Sequence, residues 1–294
     1  MRIEKKATLV SSSVAALLVA IKLAFGILSG SIAVLASAID SLLDLSVSAF
    51  NYFALHHAEK EPDERFNFGR SKIEPLAAVI EGTIISVSAL FILFQAISNI
   101  VNEKELTHME ASIGVMIVSI VLTGILVLFL NRIASRTGNM VIRADALHYK
   151  TDLFSNGAVL LALFLVHYTG EALIDSLLGV AIAIYMLISA YPIIKEGILM
   201  LLDAALEEED IAKIHAFLQT QEINNYHDLL TRKSASDIFI SMHVVFNVSI
   251  SLYDAHSVSD RIELGLQRLF PENNVNTIIH LDPYDDSEGN NLDV

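Results

Sequence analysis

The sequence predicts a membrane α-helical protein in which six transmembrane helices precede a small cytoplasmic α+β domain of the ferredoxin-like, αββαβ type. Three observations predict this fold class. Hydrophobic residues make up 53% of the chain, and the mean hydropathy of +0.55 is higher than in ordinary soluble domains. The apolar residues form long runs before residue 202. Beyond that point the sequence is more polar, and short helix and strand patterns follow one another.

Six apolar stretches have the length of a membrane-spanning helix, which needs about 20 residues to cross a hydrocarbon core of about 30 Å. The first follows a basic segment and so resembles a signal peptide. Its apolar run continues to Leu28 without a clear cleavage site, which favours a first transmembrane helix. The predicted spans are 8–28, 32–56, 76–100, 111–133, 141–166 and 174–199.

The distribution of Lys and Arg predicts the orientation in the cell (inner) membrane, because basic connections tend to remain in the cytoplasm. Basic residues precede the first span and lie between the second and third and between the fourth and fifth spans. The connections on the other side contain only Lys104. Both termini are therefore predicted to be cytoplasmic. The deciding residues are Arg2, Lys5, Lys6, Lys60, Arg65, Arg70, Lys72, Arg132, Arg136 and Arg143.

The polar part of the chain predicts a second domain. A helix over 207–220 begins with acidic residues, which suit the positive end of a helix dipole. Alternating patterns predict strands over 237–249 and 275–283, and an amphipathic helix over 251–270 lies between them. The predicted domains are 1–202 for the transmembrane part and 203–284 for the cytoplasmic part, followed by an acidic, disordered tail at 285–294.

Composition restricts the chemistry. The chain has no cysteine, so disulfides and thiolate metal sites are excluded, and a site for a soft metal must use His and carboxylates. The formal net charge of −15 argues against nucleic acid as a partner and suits cations.

Two predicted spans carry ionisable pairs at a spacing of four residues, which places both members on one helix face. Asp40 and Asp44 lie in the second span, and His148 and Asp152 lie in the fifth. At about 1.5 Å per residue, Asp40 reaches the depth of Asp152, and Asp44 reaches the depth of His148. Ionisable groups at membrane depth are costly, and matched pairs therefore predict a functional site near the midplane.

The four side chains have the donor atoms of a divalent cation site. Three carboxylates at one place repel each other unless a cation lies between them. Zn²⁺ accepts four nitrogen or oxygen ligands in a tetrahedron, and an imidazole favours Zn²⁺, Cd²⁺ or Fe²⁺ over Mg²⁺ or Ca²⁺. Lys150, on another face, is interpreted as a structural residue. Lys22 and Glu81 are interpreted as snorkelling or interhelical contacts, with a place in a cation path as the alternative for Glu81.

The DxxxD of the second span and the HxxxD of the fifth resemble the cation diffusion facilitator family of metal/proton antiporters. The segments "NFGRSKIEPLAA" and "ADALHYKTD" are similar to the family's sequences, and the resemblance covers nearly the whole chain. It points in particular to bacterial members that export zinc or ferrous iron. It implies a secondary transporter, not an enzyme, that works as a homodimer and exports Zn²⁺ or a similar ion. The implied transport site is formed by Asp40, Asp44, His148 and Asp152.

Ligand chemistry predicts the coupling of metal to protons. Metal binds deprotonated ligands, so binding releases protons, and protons on the other side displace the metal. An imidazole titrates near neutral pH, which makes His148 the natural proton carrier. Two alternatives are an intramembrane metalloenzyme, disfavoured because no HExxH motif is present, and a passive cation channel.

The resemblance also implies a cytoplasmic metal site at the dimer interface. The residues that fall on that pattern are His227, His243, His256, His280 and Asp282. Some family members have a further site in the connection between the second and third spans, with an Asp and two His. Here Asp63 is accompanied by Phe66 and Arg70 instead, so this site is predicted to be absent.

Overall fold

The computed structural model describes residues 3–29, 32–102, 113–169 and 173–285. The chain separates into two compact units, Met1–Ile198 and Leu199–Val294. The described part of the first unit consists of long helices. Their bounds are α1 Ile3–Ser29, α2 Ile32–Ala58, α3 Ile73–Asn102, α4 Ile113–Thr137, α5 Met140–Thr169 and α6 Leu173–Leu201.

The helical membrane domain of the predicted fold class is confirmed. Four segments in the described residues are long and apolar enough to cross a membrane: Ile3–Phe25, Ile73–Val101, Met116–Thr137 and Ser176–Leu201. The other two long helices, α2 and α5, carry the ionisable pairs. They contain 27 and 30 residues, which at about 1.5 Å per residue exceeds the thickness of a hydrocarbon core.

The helices of this unit turn large apolar side chains outward and smaller or polar ones inward. Phe94, Leu128 and Ile188 are each more than two-thirds exposed, as expected of side chains that contact lipid. Inside, a core formed by α1 to α5 includes Leu55 and Tyr149. This distribution suits a solvent that is itself apolar, because helices in lipid associate by close packing and internal polar contacts.

Helices α3 and α6 approach closely at two glycines. A Cβ on Gly197 would lie 2.5 Å from Val79 Cγ2 and 3.1 Å from the carbonyl oxygen of Pro75. A Cβ on Gly82 would lie 2.8 Å from Ile194 Cγ1. Only glycine fits here without displacing the neighbouring helix, which is the usual role of small residues between membrane helices.

The connection between α2 and α3 is organised around Asp63. Its carboxylate accepts hydrogen bonds from the backbone N–H groups of Arg65 and Phe66 and from the Arg70 guanidinium. Arg70 also lies over the Phe66 ring, 4.2 Å from its centroid. The Arg70 hydrogen bond and the Phe66 N–H hold the pKa of Asp63 below its ordinary value. Asp63 therefore acts as the centre of a turn, with a cationic partner.

The second unit is an α+β domain with a three-stranded sheet. Its elements are α7 Glu208–Leu218, β1 Asn225–Ser234, β2 Asp237–Val245, α8 Leu252–Leu269 and β3 Asn274–Asp282. The strand order is β1-β2-β3, with β1 antiparallel and β3 parallel to β2. Both predicted helices and both predicted strands are present, with β2 shorter than predicted. The sequence of 224–234 is interpreted as a loop between the first helix and the second strand. This interpretation is wrong, because the segment forms β1, the first strand of the predicted αββαβ order.

One face of the sheet is covered and the other is not. Ile238, Ile240, Met242 and Val244 of β2 are buried and belong to the same core as the inner faces of α7 and α8. Because side chains alternate along a strand, the intervening residues, including His243, lie on the opposite face. Within this chain the two helices leave that face uncovered.

We expect Gly197→Ala to destabilise the membrane unit, because the new Cβ would collide with the branched side chain of Val79 and the backbone at Pro75. Overpacking of this kind costs about 1–3 kcal/mol. Thermal unfolding of the purified protein in detergent would show a lower midpoint. The matched control is Gly114→Ala, whose Cβ would meet nothing within 4 Å. Equal midpoints for both variants would contradict the close approach of α3 and α6.

Candidate metal centres

Three of the four predicted intramembrane ligands lie together in the first unit. His148 Nε2 is 3.2 Å from Asp44 Oδ1 and 3.7 Å from Asp152 Oδ2. One donor atom from each residue lies within 4.8 Å of the others. The antiparallel helices α2 and α5 bring Asp44 opposite His148, as their matched depths predict. Asp40 belongs to α2, but its side chain lies outside the described residues.

A cavity of about 250 Å³ reaches this cluster from one side of the helix bundle. Asp44, His148 and Asp152 line it. Its other walls include Ser37 near the start of α2 and Ser119 near the start of α4. The cavity therefore extends from the cluster toward the side on which α1 ends and α2 begins.

Lys22 lies in this cavity and was assigned only a snorkelling or interhelical role from sequence. Its side chain is 7% exposed, and its Nζ donates to Ser41 Oγ at 2.7 Å and to the Ser37 carbonyl at 3.4 Å. It is therefore an interhelical contact between α1 and α2 and does not snorkel. Its amino group therefore lines the same cavity as Asp44 and Asp152.

Beyond the cluster, toward the start of α5, lies a layer of buried polar groups, of which the sequence analysis singled out only Glu81. Ser48 shares a hydrogen bond of 2.7 Å with the Tyr149 hydroxyl. Asn51 donates to Glu81 at 2.9 Å and to Asp145 at 3.4 Å. The sequence does contain a pattern that places part of this layer beside the cluster. Ser48 and Asn51 continue the helix face of Asp44 at intervals of four and three residues.

The second cluster is built by strand register. His227 of β1 pairs with His243 of β2, and His243 pairs with His280 of β3, so three imidazoles form a row across the sheet. Adjacent ring centroids are 5.0 and 4.6 Å apart. The row lies on the face that the helices leave uncovered.

Asp282 joins this row from the end of β3. Its Oδ2 is 2.8 Å from His243 Nδ1 and 3.3 Å from His227 Nε2, and its Oδ1 is 3.1 Å from His280 Nε2. His227, His243 and Asp282 each offer a donor atom within 4.8 Å of the others. The side chains of His227 and Asp282 are each 8% exposed, whereas that of His280 is 66% exposed.

His256 is not brought to this cluster within the chain. It lies on α8, where its Nε2 is 3.7 Å from Asp260 Oδ1, and both side chains are more than half exposed. His215, which the sequence did not assign to the site, accepts or donates a hydrogen bond of 2.7 Å with the Tyr226 hydroxyl.

Comparison with known proteins gives the family. The model of the cation efflux transmembrane domain matches residues 8–202, and that of the cation efflux protein cytoplasmic domain matches residues 206–284. The cation-efflux pump FieF of Shigella flexneri serotype 5b (strain 8401) is 36% identical over 283 residues, which cover 96% of this chain and 93% of the pump. FieF of Escherichia coli O1:K1 / APEC gives the same identity and coverage.

A solved structure is also similar over part of the chain. The Zn form of the candidate zinc transporter CzrB is 30% identical and covers 27% of this chain and 90% of its own, with a TM-score of 0.25. Both domain models and the FieF relatives together span the two units described above. The chain therefore belongs to the cation diffusion facilitator family of cation efflux proteins, and it is a membrane transporter and not an enzyme.

Proposed function

We propose that this transporter exports Zn²⁺ from the cytoplasm in exchange for protons, with Cd²⁺ and Fe²⁺ as alternative substrates. The transport site consists of Asp40, Asp44, His148 and Asp152. One observation carries the proposal: Asp44, His148 and Asp152 offer donor atoms within 4.8 Å of one another between two membrane helices. Carboxylates and an imidazole at membrane depth require a cation or protons, and an efflux protein exchanges the one for the other.

The donor set supports Zn²⁺ as the substrate. Zn²⁺ binds imidazole nitrogen and carboxylate oxygen in a four-coordinate shell, whereas Mg²⁺ and Ca²⁺ prefer oxygen ligands in larger shells. Cd²⁺ and Fe²⁺ accept the same mixture of donors, so the donor set distinguishes Zn²⁺ from these two ions less sharply than from Mg²⁺ and Ca²⁺.

The cavity supports alternating access. It reaches the cluster from the side of the α1–α2 connection, while the layer around Asn51 and Asp145 on the other side is buried. If Lys and Arg place both termini in the cytoplasm of a bacterial inner membrane, the cavity faces outward. This conformation would release metal outside, and protons would then occupy the ligands before the site reopens inward.

We further propose that the row of histidines in the second unit binds a regulatory Zn²⁺ in a homodimer. Two imidazoles and a carboxylate fit Zn²⁺, which takes a fourth ligand from His280, His256 or a partner subunit. The uncovered sheet face is where a second subunit would pack. A bound ion would stabilise the dimer and report the cytoplasmic metal concentration.

Asp152→Ala is expected to abolish metal-driven proton movement in proteoliposomes, because the site loses a ligand and a charge. Fluorescent reporters for Zn²⁺ and for pH would be recorded together. Glu209→Ala, on the first turn of α7 with its side chain 81% exposed, is the control and should transport like the wild type. Wild-type rates for Asp152→Ala would refute the site, and metal flux independent of a proton gradient would indicate a channel.

His148→Asp is expected to lower the preference for Zn²⁺ over Mn²⁺ by roughly tenfold or more, because an all-oxygen site suits harder cations. Competition between the two ions during uptake into everted vesicles measures this ratio. The control is His57→Asp, at the exposed end of α2, which should leave the ratio unchanged. An unaltered ratio in His148→Asp would show that the imidazole does not select the metal.

His243→Ala is expected to remove the thermal stabilisation that Zn²⁺ gives to the full-length protein when the transport site carries Asp152→Ala. At a hundredfold excess over Kd, a single site contributes about 2.7 kcal/mol. Because metal binding releases protons from its ligands, the effect should weaken as the pH is lowered. His215→Gln is the control, and an equal rise in midpoint in His243→Ala would contradict the cytoplasmic site.

A further inference from the structure

Two carboxylates lie deep in the membrane unit and take no part in the predicted ligand set. Glu81 of α3 and Asp145 of α5 are 1% and 0% exposed. Asn51 of α2, also 0% exposed, lies between them and donates its amide N–H groups to both. Three helices thus contribute to one buried group of oxygen atoms, one layer away from the metal cluster.

The hydrogen bonding of this group is incomplete in a specific way. Among the described residues, Glu81 Oε1, Asp145 Oδ2 and Asn51 Oδ1 are buried and have no hydrogen-bond partner. Ser48 donates to Asp145 Oδ1 at 3.5 Å. All the unsatisfied atoms are acceptors, so the group lacks a donor hydrogen and not an acceptor.

The charge of this group is also uncompensated. His148 and Tyr149 of α5 interact electrostatically with this group, and the Ser11 hydroxyl of α1 lies beside Asp145. Of these, only a protonated His148 would be cationic. Two adjacent carboxylates in such surroundings cannot both remain ionised, because each disfavours the charge on the other and burial disfavours both.

We propose that Glu81 and Asp145 share one exchangeable proton, and that they form a proton-binding site distinct from the metal ligands. A proton supplies a donor hydrogen, of which the group has too few, and removes one of its two charges. A hydrated metal ion would need a cavity beside these residues, but the cavity that reaches Asp44 and His148 is not lined by Glu81, Asn51 or Asp145. A proton needs no cavity.

This site would respond to the metal through charge alone. Asp145 is three residues from His148, a rise of about 4.5 Å, and Asn51 is seven residues from Asp44, about 10.5 Å. At such distances, with an effective dielectric constant near 20, a unit charge changes proton affinity by roughly tenfold or more. A divalent ion entering the transport site would therefore expel the shared proton toward the cytoplasm, and its departure would draw a proton back.

The inference deepens the proposed antiport and rests on it. One of the protons exchanged for the metal would be held by Glu81 and Asp145, in addition to those displaced from His148 and the ligand carboxylates. The metal-bound state then has both carboxylates ionised beside the dication, and the metal-free state has one of them protonated.

The test is the number of protons released when Zn²⁺ binds. Isothermal titration of the full-length protein in buffers with different ionisation enthalpies gives this number, with His243→Ala present throughout to remove the second metal cluster. The variants are Glu81→Gln, Asp145→Asn and the double variant, each of which keeps the shape of the side chain. The control is Glu74→Gln, on the same helix, whose remaining oxygen can still accept from the Met140 N–H.

We expect the double variant to release about one proton fewer per Zn²⁺ than the wild type, and the slope of log Kd against pH to decrease by about one. Glu74→Gln should match the wild type. If the wild type releases protons and the variants release equally many, the proposal of a shared proton is refuted, but the proposal of antiport is not. If the wild type releases none, antiport itself is wrong and this inference with it. If the double variant does not fold, the number of protons released by each single variant tests the proposal separately.

Discussion

The membrane unit depends on the contact between α2 and α5, where polar side chains meet in an apolar solvent. Asp44 lies against His148, Ser48 against Tyr149, and Asn51 against Asp145. We call these three pairs the polar seam. From Asp44 to Asn51 the seam runs toward the end of α2, and from His148 to Asp145 it runs toward the start of α5, as antiparallel helices require. Since buried polar groups are costly unless paired, the seam fixes the register of the two helices.

The two candidate centres use the same donor types but are built by different periodicities. In the membrane, a spacing of four residues places His148 and Asp152 on one helix face, and a second helix completes the group. In the cytoplasmic domain, the register of three strands aligns His227, His243 and His280, which are far apart in sequence. The first centre is enclosed by its own chain, and the second lies on an uncovered face. This difference suits a transported ion in one case and an ion shared between subunits in the other.

Much of this organisation could be predicted from the sequence, for identifiable reasons. The spans follow from hydropathy, and the proximity of Asp44 and His148 follows from spacing and rise per residue. Strand β1 was missed because Asp228, at φ 49°, lies within an irregularity of pairing between His227 and Leu230 that interrupts the alternation. Glu81 could not be paired with Asn51 and Asp145, because the rotation of α3 about its axis is set by packing at residues such as Gly82.

The polar seam also constrains how the site can change its exposure. Asp44, His148 and Tyr149 line the cavity, whereas Ser48, Asn51 and Asp145 are buried beyond it. Opening the other side must therefore separate Ser48 from Tyr149 and Asn51 from Asp145. Neutral hydrogen bonds of this kind contribute only about 0.5–1.5 kcal/mol each when water replaces the partner, so the closed and the hydrated layer differ little in free energy. An ionised carboxylate in the layer shifts this balance toward the hydrated state, because it gains far more from hydration than a neutral one. Loss of a proton from Glu81 or Asp145 would therefore favour the hydrated, opened layer, and gain of a proton would favour the closed one. The residues that would bind the proton are therefore the same residues that close the path on this side of the metal site, so the protonation of the layer and its exposure to water depend on each other.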